Sequence, residues 1–216
     1  MDLSNAALEK IEDIQNINKI VRKYTNRIEG NCLYRHRSDL KEFEKGTRYD
    51  NKLILRQNIY KIAASTTNVK NVLEIGLNGG HSMAIFFLAN PNLNILSFDI
   101  CEHKYVEEVA TYFKDRYNFT FVKGDSLTTV KNYESDVKYD VIHIDGGHYE
   151  TNVRNDLINC KKFAHENTLM IFDDSNAKHI GDILDEYCKS GIIEEINYRQ
   201  LGIKKCYFHR IFKYCI

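Results

Sequence analysis

The stretch 72-VLEIGLNGGHSMAI-85 decides the fold: an apolar run, a turn with glycines at 76, 79 and 80, then a second apolar run that opens on His81 and Ser82. It reads as a strand, a glycine-rich turn and the start of a helix. Glycines let a backbone approach a ligand closely, and the free N–H groups of a helix start favour a polar or anionic group. A dinucleotide fingerprint would need G-x-G-x-x-G, which this spacing does not supply. Downstream, 93-LNILSFD, 118-NFTFVKG, 139-YDVIHID and 168-TLMIFDD alternate with amphipathic segments, a pattern that implies a parallel sheet with helices on both faces. Strands buried on both sides read as continuous apolar runs, as VLEI, VIHI and LMIF do.

Beyond the helical segment 177-AKHIGDILDEYCKSG-191, two strand-like segments, 192-IIEEINYR and 206-CYFHRIFKY, follow with no helix between them, so they pair antiparallel. Ahead of the sheet, Leu8, Ile11, Ile14, Ile17, Ile20, Val21 and Tyr24 share a helical period, and 53-LILRQNIYKIAAS-65 repeats it. Between them, residues 26–51 have no period and hold Tyr34, Arg35, His36, Arg37 and Tyr49, either a lid over a site or a solvated connector. The chain is expected to form one compact unit, with N-terminal helices over 1–54 and the sheet-bearing domain over 55–216.

Thirty basic residues balance thirty acidic ones, which removes the basic excess expected of a nucleic-acid or membrane surface. The six cysteines are scattered without a C-x-x-C pair and read as reduced thiols. With no apolar run near the ~20 residues a membrane span requires, a cytoplasmic, soluble protein is expected.

Asp99 ends the second strand about twenty residues past Gly80, the offset at which an acid takes ribose hydroxyls in doubly wound folds. Glu74, Gly76, Asn78 and Gly80 together resemble the E-x-G-x-x-x-G motif of class I S-adenosylmethionine-dependent methyltransferases, with Asn78 in place of a middle glycine. The resemblance covers about residues 55–216. It implies a Rossmann-like, doubly wound, seven-stranded α/β sheet, mostly parallel with an antiparallel last strand, and S-adenosyl-L-methionine as cofactor. Glu74 and the glycines would hold its methionine end, with His81 and Ser82 donating to the carboxylate from the helix start. The turn 121-FVKGDSL-127 is similar to the family's adenine-contacting G-D-S, which implies Asp125 on the adenine amine and the Ser126 backbone on the ring.

Asp145 ends the fourth strand, and Asp173 and Asp174 end the fifth, so all three reach one sheet edge. Clustered carboxylates repel, and three hard oxygen ligands suit Mg²⁺ or a similar cation. The pairing of I-D-G-G-H-Y with L-M-I-F-D-D resembles macrocin-type sugar O-methyltransferases and, more distantly, catechol-type enzymes, which implies Asp145, Asp173 and Asp174 as the metal set. Those sugar enzymes often carry D-G-D where this chain has Asp145-Gly146-Gly147, so a presumed base is missing. His148 stands nearest to replace it, since a neutral imidazole accepts a proton near neutral pH. His143 and Glu150 read as structural, and Ser175 and Asn176 as a helix cap. The expected activity is metal-assisted methyl transfer to a hydroxyl of a small molecule, with a sugar or nucleotide sugar preferred. The alternatives are an RNA cap methyltransferase, for which Asp145 and Lys178 would supply part of a Lys-Asp-Lys-Glu set, and an inactive methyltransferase-like binding protein. Homo-oligomerisation stays open.

Overall fold

The computed structural model describes residues 1–26, 47–65 and 68–216. Seven strands form one sheet in the order β3-β2-β1-β4-β5-β7-β6. They are β1 (Asn71–Ile75), β2 (Asn94–Asp99), β3 (Phe119–Lys123), β4 (Val141–Ile144), β5 (Leu169–Phe172), β6 (Ile193–Glu195) and β7 (Arg210–Tyr214). The first five run parallel, and β7 lies antiparallel between β5 and β6, with Ile171 opposite Ile211 and Glu194 opposite Lys213. The chain order reverses between β1 and β4. At such a switch point neighbouring connections leave to opposite faces, opening a crevice at the strands' carboxyl ends.

Eight helices among the described residues cover the two faces: α1 (Asn5–Leu8), α2 (Glu12–Arg22), α3 (Thr47–Ala63), α4 (His81–Ala89), α5 (Val106–Lys114), α6 (Ser126–Asn132), α7 (Glu150–Cys160) and α8 (Lys178–Lys189). One core packs α1 to α5 on the sheet through Leu8, Ile17, Leu55, Ile59, Phe86 and Phe113; the other packs α7 and α8 opposite through Val153, Leu157, Ile183 and Leu184. The helix α4 is apolar nearly all round because it is walled in by α2 and α3 on one side and the sheet on the other.

The helical period read over residues 5–24 is split in two, with Ile11 extended (φ −80°, ψ 127°) between α1 and α2. In α2, Glu12 and Asp13 open the helix and Lys19 and Arg22 close it, each complementing the helix dipole. The boundary drawn between residues 54 and 55 falls inside α3. Tyr34, Arg35, His36 and Arg37 lie outside the described residues, as does the side chain of Tyr49. No helix among the described residues is long and apolar enough to cross a membrane.

Candidate active site

The carboxyl edge of β1, β2, β3 and β4 opens onto a cleft of about 310 Å³ that collects Gly76, Asn78, Asp99, Asp125, Ser126 and Asp145. The turn after β1 is shaped by its neighbours. Gly76 sits at φ +95°, and a β-carbon there would come within 2.0 Å of the Asp145 carbonyl oxygen, so only glycine lets β1 and β4 end side by side. Asn78, also left-handed at φ +46°, donates its N–H to Asp99 Oδ2 at 2.9 Å and accepts the Tyr105 hydroxyl on Oδ1 at 2.6 Å. The other Asp99 oxygen accepts the Cys101 N–H at 2.6 Å. Asp99 thus locks the first two strand-end turns together at the cleft wall. Asp125 is the N-cap of α6 and accepts the Leu127 N–H at 3.0 Å.

Four of the residues expected to touch the cofactor stand behind that wall. Glu74 is fully buried; its carboxylate accepts Ser82 Oγ at 2.6 Å, Ser97 Oγ at 3.1 Å and His143 Nδ1 at 3.2 Å. Ser82 is therefore spent on Glu74. His81 is spent on Asn18 of α2, with Nε2 2.9 Å from Asn18 Oδ1, and burial pushes its pKa down to about 3. Gly80 is the left-handed N-cap of α4. The side chains of Glu74, His81 and Ser82 thus brace the turn, while Gly76, Asn78, Asp99, Asp125 and Ser126 line the cleft.

The three aspartates do not converge as one set among the described residues. Asp173 continues inward from β5, whereas Asp174 adopts φ +51°, a left-handed turn that throws its carboxylate outward. Two groups result, both sharing Asp145: an inner one of His143, Asp145 and Asp173, and an outer one of Asp145, His148 and Asp174. In each, the ligand atoms lie within 4.8 Å of one another. Burial raises the pKa of Asp145 well above the usual carboxylate range, and the charges of Asp173 and Asp174 add to it. Burial raises Asp173 too, against the nearby charge of Lys52, whose ammonium lies 4.4 Å above the Phe208 ring. His148 Nε2 meets Asp174 Oδ2 at 2.9 Å, and this hydrogen bond raises the imidazole pKa above 6.5.

The inner group fits a cation. His143 Nε2 and Asp173 Oδ1 are buried without a hydrogen-bond partner among the described residues, a cost that a bound ion removes.

Several cleft residues were not singled out from the sequence. Ile100 and Tyr149 are exposed apolar side chains on its rim, and both follow a strand's carboxyl end, the signal that could have marked them. Asp156, on α7 and not itself in the cleft lining, gave no such signal. It is 1% exposed beneath Gly146, and burial lifts its pKa to about 7, with the Ser126 hydroxyl pulling the other way.

Residues 73–175 match the family model of a methyltransferase domain. A comparison with curated protein sequences gives no match. Among solved structures, the fold is similar to the Podospora anserina methyltransferase PaMTH1 bound to S-adenosylhomocysteine, at 12% identity over 98% of this chain and 93% of that one, TM-score 0.62. An O-methyltransferase of Bacillus cereus in complex with S-adenosylhomocysteine shares 13% identity over 96% and 94%, TM-score 0.61. The O-methyltransferase TomG of Streptomyces achromogenes, involved in tomaymycin synthesis and solved with S-adenosylmethionine, shares 10% over 97% and 94%, TM-score 0.59. Residues 73–175 are thus similar to a methyltransferase domain, and the chain as a whole shares the fold of these solved methyltransferases.

Proposed function

We propose that the protein is an O-methyltransferase that moves the methyl group of S-adenosylmethionine to a hydroxyl of a small molecule, with a sugar or nucleotide sugar as the preferred acceptor. The observation that carries this reading is the His148–Asp174 pair, 2.9 Å apart, sharing the sheet edge with Asp145 and adjoining the cleft of Gly76, Asn78 and Asp99. The sugar preference rests on the resemblance of 144-IDGGHY-149 and 169-LMIFDD-174 to macrocin-type enzymes.

In this reading Asp99 takes the ribose hydroxyls, Asp125 and Ser126 face the adenine, and the Gly76–Asn78 turn receives the methionine end. Glu74, Gly80, His81 and Ser82 keep that turn in shape. Transfer is an in-line displacement: the acceptor oxygen bonds to the methyl carbon as the carbon–sulfur bond breaks, leaving a neutral thioether. The hydroxyl proton goes to His148, whose ring Asp174 orients and whose protonated form it stabilises. A divalent cation at this edge, when bound, would lower the pKa of a coordinated hydroxyl. Asp145 belongs to both groups that could hold it.

For RNA, no described feature speaks. Lys178 pairs with Asp182 Oδ2 of its own helix at 2.6 Å and stands exposed.

The test is calorimetry with S-adenosylmethionine, followed by S-adenosylhomocysteine release over sugars, nucleotide sugars, catechols and capped RNA. Micromolar cofactor binding and turnover on a sugar support the proposal. Absence of cofactor binding overturns it, and turnover confined to capped RNA overturns the acceptor class.

A further inference from the structure

The two groups that share Asp145 are not equivalent as cation sites. His143 is 1% exposed, and its Nδ1 lies 3.2 Å from Glu74 Oε1, a carboxylate fixed in turn by Ser82 and Ser97. With Glu74 as acceptor the ring proton sits on Nδ1, which leaves a lone pair on Nε2. A carboxylate behind an imidazole, fixing its tautomer and raising its basicity, is the usual support of a metal-binding histidine. Nε2 has no partner among the described residues, nor has Asp173 Oδ1, and both are acceptors. Leaving each buried and unpaired forfeits the hydrogen bonds that water gives it in the unfolded chain. Beside them lies a void of about 10 Å³, lined by His143, Asp145 and Asp173 together with Leu55, Ile59 and residues of the turn after β1. That is room for one ion or one water.

The outer group is committed elsewhere. His148 and Asp174 bind each other, and both are open to solvent. We propose that the cation rests on the inner group, with His143 Nε2 as a direct ligand beside Asp145 and Asp173, and that this mixed nitrogen and oxygen set takes a transition ion such as Mn²⁺, Co²⁺ or Zn²⁺ in preference to Mg²⁺. Mg²⁺ holds oxygen ligands and surrenders its water reluctantly, whereas an imidazole favours the later first-row ions. The assignment rests on the cation reading of the proposed function. It also leaves the His148–Asp174 pair free to move the acceptor's proton.

Electron paramagnetic resonance of the full chain, stripped with EDTA and titrated with Mn²⁺, tests this without an acceptor. Loss of the free Mn²⁺ signal measures binding, and pulsed echo modulation detects a directly bound histidine nitrogen. The expected result is one bound Mn²⁺ with ¹⁴N coupling that changes on ¹⁵N-histidine labelling, persists in His148→Asn and disappears in His143→Gln. Mg²⁺ should compete at least roughly tenfold more weakly than Mn²⁺. Should His143→Gln fail to fold, the labelled His148→Asn protein still decides, because His143 is then the one described histidine left in either group. Coupling that vanishes in His148→Asn moves the ion to the outer group and overturns the assignment. Bound Mn²⁺ with no nitrogen coupling also overturns it while sparing the cation reading, and no Mn²⁺ binding at all removes both.

Discussion

At the scale of single residues, the site separates groups that act on a substrate from groups that hold others in place. His148 is exposed and, among the described residues, its side chain pairs with Asp174, so His148→Asn should lower kcat by about 100-fold or more, the usual contribution of a general base. Calorimetry should find S-adenosylmethionine affinity within about threefold of the parent, because His148 is not among the residues that line the cofactor cleft. Asp156 offers a test in pH. Its folded pKa of about 7 lies above the ordinary aspartate value of 3.8, so the unfolded chain loses the proton first as pH rises. The protein should therefore lose stability from about pH 4 to 7 on account of this group, with the loss complete above pH 7. Asp156→Asn removes that penalty. It should raise Tm at pH 8, by an amount equivalent to roughly 1–4 kcal/mol, and leave it unchanged at pH 4, as read by thermal melts at both values. Neither Asp156 nor the bracing role of Glu74 was visible in the sequence, because which face of α7 or which side of β1 is buried depends on elements far along the chain. Asp145, Asp173 and Asp174 were legible as a group at one edge. Their division was not, since it turns on a single left-handed backbone at Asp174.

At the scale of elements, β1, β4 and β5 announced themselves as continuous apolar runs because both their faces are covered, unlike the edge strand β3. The antiparallel end was harder. The segment read as 192–199 is a strand only over Ile193–Glu195, after which the Tyr198 hydroxyl, 3.2 Å from the Ile211 N–H, accepts in place of a backbone partner. Before β7, Lys204 N–H donates to Asn58 Oδ1 at 3.1 Å and Tyr207 N–H to Asn51 Oδ1 at 2.8 Å, so residues 204–207 are held by α3 rather than by the sheet. Side-chain partners so distant in sequence leave no periodic trace. The glycine turn carries the sharpest prediction at this scale. Gly76→Ala would force a β-carbon against the Asp145 carbonyl at 2.0 Å, in a backbone conformation that alanine disfavours. Loss of about 3 kcal/mol or more is expected, enough to prevent recovery of folded protein or to lower the circular-dichroism midpoint by more than about 6 °C.

At the scale of the whole molecule, the N-terminal helices are structural members of the domain. Leu8, Ile14, Ile17 and Val21 lie in the same core as Phe86 and Phe113, Asp13 accepts the hydroxyls of Tyr112 and Tyr117, and Asn18 holds His81. Removal of residues 1–24 should bare that apolar face, giving protein that binds a hydrophobic dye and melts early or aggregates; a deletion with the parent's melting curve would contradict this packing. The order of the sheet carries a consequence for how the molecule is assembled. Strand β6 pairs with β7 alone, yet precedes it in the chain, so it must wait for a later segment to slot in beside β5. The same late segment reaches the acid edge, where the Phe208 carbonyl accepts the Ser175 N–H at 3.0 Å just beyond Asp174. Such long-range closure is slow compared with forming the parallel half. In refolding experiments, competence at the acid edge should thus return with the slowest kinetic phase, after most helical signal has already recovered.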